Sequence, residues 1–259
     1  SRFWDWEQYK PRFSNSWDEY RNSIWHRVGY VNWGYEAIGR FDSWEQIANY
    51  PVDNDRKGNR TVVPGDIMYK DQNNDGVINY LDERPIGYRV DSTPTLNFGI
   101  NLSASWKGFD LAMDWTGSGM TSWNQCYETA RPFQNDGNSP DEVLKDAWHL
   151  SDIWDANSPL IPGKYPMVRL NTDETSAYDK SSYWLHNVTY LKLRNLEVGY
   201  TFPKTWLNRT GISNLRLFVS GTNLLTLSNL SVMDPECASD NGLDYPPMRV
   251  INIGVNLKF

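Results

Sequence analysis

The sequence predicts an all-β chain: strands of an antiparallel transmembrane β-barrel with long extracellular loops. Three observations carry that prediction. Five segments alternate apolar and polar residues, the links between them alternate short and long, and the chain ends on an aromatic residue, Phe259. A period of two places successive side chains on opposite faces of a strand. A membrane barrel returns by short turns on the periplasmic side and by long loops outside.

The first strand, about 95–106, reads LNFGINLSASW, with Leu96, Phe98, Ile100, Leu102, Ala104 and Trp106 on one face. Lys107 and Gly108 form a two-residue turn into the second strand, about 109–122, so the pair reads as a tight hairpin. In the third, about 188–202, the apolar phase slips by one residue near Asn195, the mark of a β-bulge. The fourth covers about 214–228 and the last about 248–259. With Phe259 on the periplasmic side, the Lys107-Gly108 turn and the link of about a dozen residues from Pro203 fall there too. The long connections 123–186 and 229–247 then both lie outside. Residues such as Asn97, Asn101, Ser103, Asp110 and Asp114 suit a wet lumen, and the opposite face suits acyl chains. A soluble β-sandwich alternates in the same way, because one of its faces is core.

Residues 91–259 hold these strands. Residues 1–90 read as an extracellular loop region with at most one irregular strand, and the spacing predicts a helix over Asp141 to His149 with Pro140 at its start. The 259 residues carry 32 acidic against 25 basic side chains, a net charge of −7, and no basic cluster, which argues against a nucleic-acid partner. No apolar window is long enough for a transmembrane helix, and the first residues show no secretory signal. Cys126 and Cys237 are too few for a disulfide framework, leaving one bridge or two thiols open. Thirteen Trp, fifteen Tyr and nine Phe suit a β-rich core, sugar-stacking platforms or the aromatic girdles of a barrel.

The strongest local motif runs from Asp71 to Asp82 and follows the spacing of an EF-hand calcium loop. Asp71, Asn73 and Asp75 supply side-chain oxygens, Gly76 the sharp turn, Val77 a backbone carbonyl and Asp82 the twelfth position. Asp82 is shorter than the usual Glu, and flanking helices are missing, so the expected role of Ca2+ is structural: to rigidify an outward loop. Trp123, Tyr127, Trp148 and Trp154 in the long loop are candidates for stacking on a ligand or touching a lid protein; the alternative is that they pin the loop to itself. His26, His149 and His186 lack metal-ligand spacing, and no nucleophile or phosphate-binding signature occurs, so no enzyme is expected.

Several segments together resemble the SusC/RagA family of TonB-dependent outer-membrane transporters from Bacteroidetes. They are GYEAIGRFDSWEQIANYP (Gly34 to Pro51), PGDIMYKDQNNDGVINYLDERPIG (Pro64 to Gly87), NFGINLSASWKGFDLAMDWTG (Asn97 to Gly117), YLKLRNLEVGYTFPKTWL (Tyr190 to Leu207), ISNLRLFVSGTNLLTLS (Ile212 to Ser228) and YPPMRVINIGVNLKF (Tyr245 to Phe259). The resemblance implies that these are the C-terminal strands of a large barrel, in the outer membrane, importing glycan oligomers or peptides beneath a SusD-like surface lipoprotein. TonB would act on an N-terminal plug, and Phe259 would serve as the barrel-assembly signal. The sequence departs from the family in having no plug and no TonB box, so the remaining barrel and plug are expected in the same longer polypeptide or in a separate chain. The alternative reading is a soluble, calcium-stabilised carbohydrate-binding β-sandwich; a calcium-dependent glycoside hydrolase ranks third.

Overall fold

A computed structural model describes residues 12–23, 31–88, 94–170, 174–208, 211–236, 241–242 and 244–259. Its strands are β1 (Asn32–Gly34), β2 (Ala37–Arg40), β3 (Ile67–Tyr69), β4 (Arg84–Gly87), β5 (Leu96–Trp106), β6 (Phe109–Asn124), β7 (His149–Leu150), β8 (Leu160–Ile161), β9 (Leu185–Thr201), β10 (Asn214–Ser228) and β11 (Val250–Lys258). The helices are α1 (Ser16–Asn22), α2 (Trp44–Ala48), α3 (Asp141–Lys145) and α4 (Lys204–Leu207). The chain divides into two units. One comprises Ser92–Thr121, Val188–Ala238 and Leu243–Phe259; the other comprises Ser1–Asp91, Ser122–Asn187 and Ser239–Gly242.

The five long strands form one sheet in the order β11-β10-β9-β6-β5. Lys107 and Gly108 both take positive φ, 49° and 90°, as a tight hairpin turn requires. A Cβ on Gly108 would lie 2.7 Å from the Thr201 carbonyl oxygen, so the position admits only glycine. Across β10 and β11 the pairs Leu215 with Leu257, Leu217 with Val255, and Val219 with Ile253 share one face. That face is open: Leu96, Phe98, Ile100, Leu102, Leu217, Val219, Val255 and Ile253 are all exposed, Ile253 to 83%. The Phe98 ring lies over its partner Gly117, where a Cβ would overlap it. At the hairpin end an aromatic row gathers, with Phe109 to Tyr200 at 4.6 Å, Tyr200 to Phe202 at 5.0 Å, and Phe202 to Trp206 at 6.1 Å between ring centroids.

The opposite face of the sheet is polar. Arg216 Nε donates to Asp110 Oδ1 at 3.1 Å and its Nη2 to Glu197 Oε1 at 2.6 Å, and this cluster sits over Gly199, where a Cβ would be 2.5 Å from Arg216. Higher up, Asn195 Nδ2 donates to Asp114 Oδ2 at 3.3 Å and Arg194 Nε to Thr116 Oγ1 at 3.1 Å. Asp114 and Thr116 are alternate residues on β6 and share a face, so the consecutive residues Arg194 and Asn195 both point to it. That is the phase slip read from the sequence. The β9–β10 register shifts at the same level, between Thr222 and Leu225, with Asn223 at φ 56°.

The other unit is richer in structure than its sequence suggests. Four short strands replace the single irregular one expected in residues 1–90: β1 pairs with β4, and β2 with β3. Each has three or four residues, too few to show a period, and each finds its partner far along the chain. The long connection 123–186 is likewise not structureless. It holds α3 and the β7–β8 pair and shares a core with residues 31–88, where Trp184 stacks between Tyr165 and Tyr178 and Tyr69 and Ile78 are fully buried. Tyr69 Oη donates to the Ser176 carbonyl at 2.7 Å, and Tyr35 N–H to that of Lys180 at 2.9 Å. The helix predicted to His149 stops at Lys145, because Trp148 N–H and the Asp146 carbonyl bond to Tyr165 instead.

Burial pushes the Tyr178 and Tyr183 hydroxyls up to about 12. Because the folded value lies above the unfolded one, near 10, their contribution to stability is complete below pH 10 and is lost as the pH rises through 12. Difference absorbance at 295 nm against Tyr178→Phe and Tyr183→Phe is expected to show both phenols ionising after the exposed tyrosines.

Candidate metal centre and loop aromatics

The segment from Asp71 to Asp82 is wound around its own carboxylates. Asp71 Oδ1 accepts from Asn74 N–H at 2.7 Å and Oδ2 from Gly76 N–H at 2.8 Å. Asn73 Oδ1 accepts from Asp75 N–H at 3.1 Å, and Asp75 Oδ1 from Val77 N–H at 2.9 Å. Asn74 and Gly76 take left-handed φ, 60° and 85°. The loop is fixed to the unit by Asp53, whose N–H donates to the Gly76 carbonyl and whose carbonyl accepts from Ile78 N–H.

Asp82 reaches this loop despite its short side chain because a 3₁₀ turn, Tyr80–Asp82, carries it back. Asn79 caps that turn: its Oδ1 accepts from Leu81 N–H at 2.9 Å, while Asp82 Oδ2 accepts from Asn79 N–H at 2.8 Å. Asp82 Oδ1 also accepts from Gln72 N–H at 2.8 Å, and the residue is fully buried. The result is that oxygens of Asp71, Asp75 and Asp82 all lie within 4.8 Å of one another, the one such group found among the described residues. Asn73 lies beside them, its Nδ2 donating to Asp75 Oδ2 at 2.9 Å, while the Val77 carbonyl accepts from Asn79 Nδ2 at 3.2 Å. Hydrogen bonds from the Asn73 side chain, then from Val77 N–H, hold the Asp75 carboxyl below the usual range. Three converging carboxylates with amide and carbonyl oxygens beside them fit a hard cation with oxygen ligands. The capping role of Asn79 was missed in the sequence, although an Asn three residues before an acidic residue signals such a cap.

The four loop aromatics part company. Trp123 is 4% exposed and stacks on His186 at 5.6 Å, and Trp148 is buried against Gly65, where a Cβ would lie 2.5 Å from its ring. This corrects the expectation for both: they face the core and offer no ring to an incoming ligand. Tyr127 is exposed, and Trp154 is 90% exposed at the tip between β7 and β8. Asp152 Oδ1 accepts from Trp154 N–H at 2.9 Å and fixes that tip. His149 Nδ1 meets the Ala147 carbonyl and His186 Nε2 meets Gln125 Oε1, so the two share no site. His26 and Cys237 lie outside the described residues, and with Cys237 the question of a bridge to Cys126. Phe259 follows β11 and is 85% exposed.

No protein-family model matches the chain. TonB-dependent receptor P3 of Formosa agariphila is 30% identical over 242 residues, 86% of this chain and 22% of that protein. TonB-dependent receptor SusC of Bacteroides thetaiotaomicron is 24% identical over 252 residues, 90% of this chain and 20% of its own length. The RagAB peptide importer in its closed-closed state superposes with a TM-score of 0.58 at 21% identity, over 90% of this chain and 24% of the other. In the open-open state the TM-score is 0.55 at 22% identity, over 91% and 23%. This chain is similar to TonB-dependent receptors, SusC among them. It spans about a fifth of the length of the relatives it matches. The chain has the fold of a stretch of the RagAB importer.

Proposed function

We propose that this chain is the C-terminal barrel-wall segment, with its extracellular loops, of a TonB-dependent outer-membrane transporter. It would import glycan oligomers or peptides together with a SusD-like surface lipoprotein, while the plug, the rest of the barrel and the coupling to TonB lie in sequence outside this chain. The observation that carries the reading is the two-sided sheet. Its apolar stripe is uncovered while ion pairs such as Arg216 with Asp110 occupy the reverse. A soluble sandwich needs a second sheet over the apolar stripe, and the described residues provide none. The aromatic row of Phe109, Tyr200, Phe202 and Trp206, with Lys107 Nζ 4.8 Å from the Trp106 ring, supports a membrane interface at the hairpin end. Trp154 and Tyr127 are the exposed aromatics offered to cargo or lipoprotein. The test is fractionation of the source bacterium: the full polypeptide is expected in the outer membrane with a surface lipoprotein, and deleting its gene is expected to abolish growth on one glycan or peptide source. Recovery as a soluble, glycan-binding protein would overturn the reading.

Phe259 is proposed as part of the assembly signal, on the ground that it directly follows β11, the last strand of the sheet, and is exposed. Removing it from the full transporter is expected to lower the amount in the outer membrane severalfold, measured by surface labelling; unchanged levels would refute the role.

The loop from Asp71 to Asp82 is proposed to hold Ca2+ through Asp71, Asn73, Asp75, Val77 and Asp82, as a structural clip. Calcium there would neutralise the converging carboxylates and stiffen the loop. Calorimetric titration of the full transporter is expected to show binding at about 10⁻⁴–10⁻³ M, as in extracellular calcium modules, abolished by Asp71→Ala. Binding is expected to weaken as the pH falls into the carboxylate range, because the ligand carboxylates must be ionised to hold the ion.

A further inference from the structure

Beyond β10 the chain turns back across the polar side of β9. Asn229 Oδ1 accepts from Thr189 N–H at 2.9 Å, and Leu230 is the one buried apolar side chain among residues 229–236. The far end of this segment is held by charge. Lys192 Nζ donates to Asp234 Oδ2 at 2.9 Å and to Glu236 Oε2 at 2.8 Å, Arg194 pairs with Glu236, and Tyr190 Oη donates to Glu236 Oε1 at 3.2 Å. Asp234 Oδ1 also accepts from Glu236 N–H at 3.0 Å, which sets the two carboxylates side by side. Lys192 is only 1% exposed, and a lysine is almost never so covered unless paired. Two cations meet two carboxylates, so the cluster is balanced. Beside it lies an open cavity of about 460 Å³, lined among others by Asn97, Gly99, Thr116, Tyr190, Arg194 and Glu236, a size within the range of small-molecule sites. Glu236 is therefore both a link to β9 and a wall of the cavity.

We propose that residues 229–236 form a releasable strap, which pairs with β9 only at Asn229, whose N–H donates to the Thr189 carbonyl at 3.3 Å, is latched beyond it by Lys192 and Arg194, and closes one side of this cavity. When the strap lifts, the cavity loses Glu236 and opens toward hydrogen-bonding solutes in the pore. The role in the pore rests on the transporter reading above; the latch itself does not. Two features favour release over permanent attachment. The far end is fixed by side chains alone, and the near end by a single buried leucine and contacts to Thr189. Local openings of this kind are set by how few apolar contacts hold a segment down.

The experiment is hydrogen–deuterium exchange on the full transporter in detergent, comparing the unaltered protein with Lys192→Met and with the triple variant Lys192→Met, Asp234→Asn, Glu236→Gln. The triple variant removes the buried Lys192 charge together with both carboxylates and leaves only the half-exposed Arg194, still bonded to Thr116 and Asn223, and so decides the matter if the single variant fails to assemble. Amides of 229–236 are expected to exchange about tenfold faster or more in the triple variant, with β9, β10 and β11 as protected as before. Unchanged exchange in 229–236 would overturn the latch. So would a loss of protection spread through the strands, which would make the cluster part of the sheet's own core. Exchange is read without cargo or transport, so a failure of the transporter reading appears in fractionation and not here.

Discussion

A sheet with its oily residues outward and its ion pairs inward persists only where the outside is less polar than the inside. That inversion is the constraint on which the rest of the chain depends. In water the stripe running from Leu96 through Val219 to Ile253 would seek a cover, and burial of apolar area is what normally stabilises a domain. In hydrocarbon it needs none. The demand there moves to the backbone, since every unpaired N–H and C=O costs several kcal/mol. β5 and β11 end the sheet, so in a bilayer each requires a neighbouring strand. The relatives, about five times as long, have chain enough to supply them.

The loop-bearing unit obeys the opposite logic, with its apolar side chains turned inward into a buried core. Trp184 between Tyr165 and Tyr178, with Ile67, Tyr69 and Ile78 beneath, joins residues 31–88 to the long connection between β6 and β9. A connection of that length would be costly to hold in one shape without such a core. The clip around Asp71 and the capped turn at Asn79 shape the same unit by polar means, through hydrogen bonds that keep the loop compact.

How much of this was legible follows from the length over which each signal repeats. β5, β6, β10 and β11 run for nine to sixteen residues, long enough for alternation to fix both element and face. β1 to β4 are too short for that, and their partners are set by tertiary contacts such as Asn32 opposite Gly87. The carboxylate loop was legible because its spacing is local, while the way Asp82 closes it depended on a 3₁₀ turn that spacing does not encode. Aromatic content foretold neither the burial of Trp123 and Trp148 nor the exposure of Trp154: a tryptophan stacks equally well on a core, a sugar or a partner. Lys192 went unnoticed because its burial depends on Asp234 and Glu236, more than forty residues away.

The phase slip in β9 ties these levels together. Counting back by twos from Val198, Leu196, Arg194 and Lys192 would all fall on the apolar face, and two cations would be set among its leucines and valines. The slip turns Arg194 to the same side as Asn195, so that it meets Thr116 and Glu236, and Lys192 follows it toward Asp234. One irregularity in a strand therefore decides that these charges face the polar side. It brings Lys192 and Arg194 within reach of the segment after β10, and a defect in the ladder becomes the anchor point for a loop.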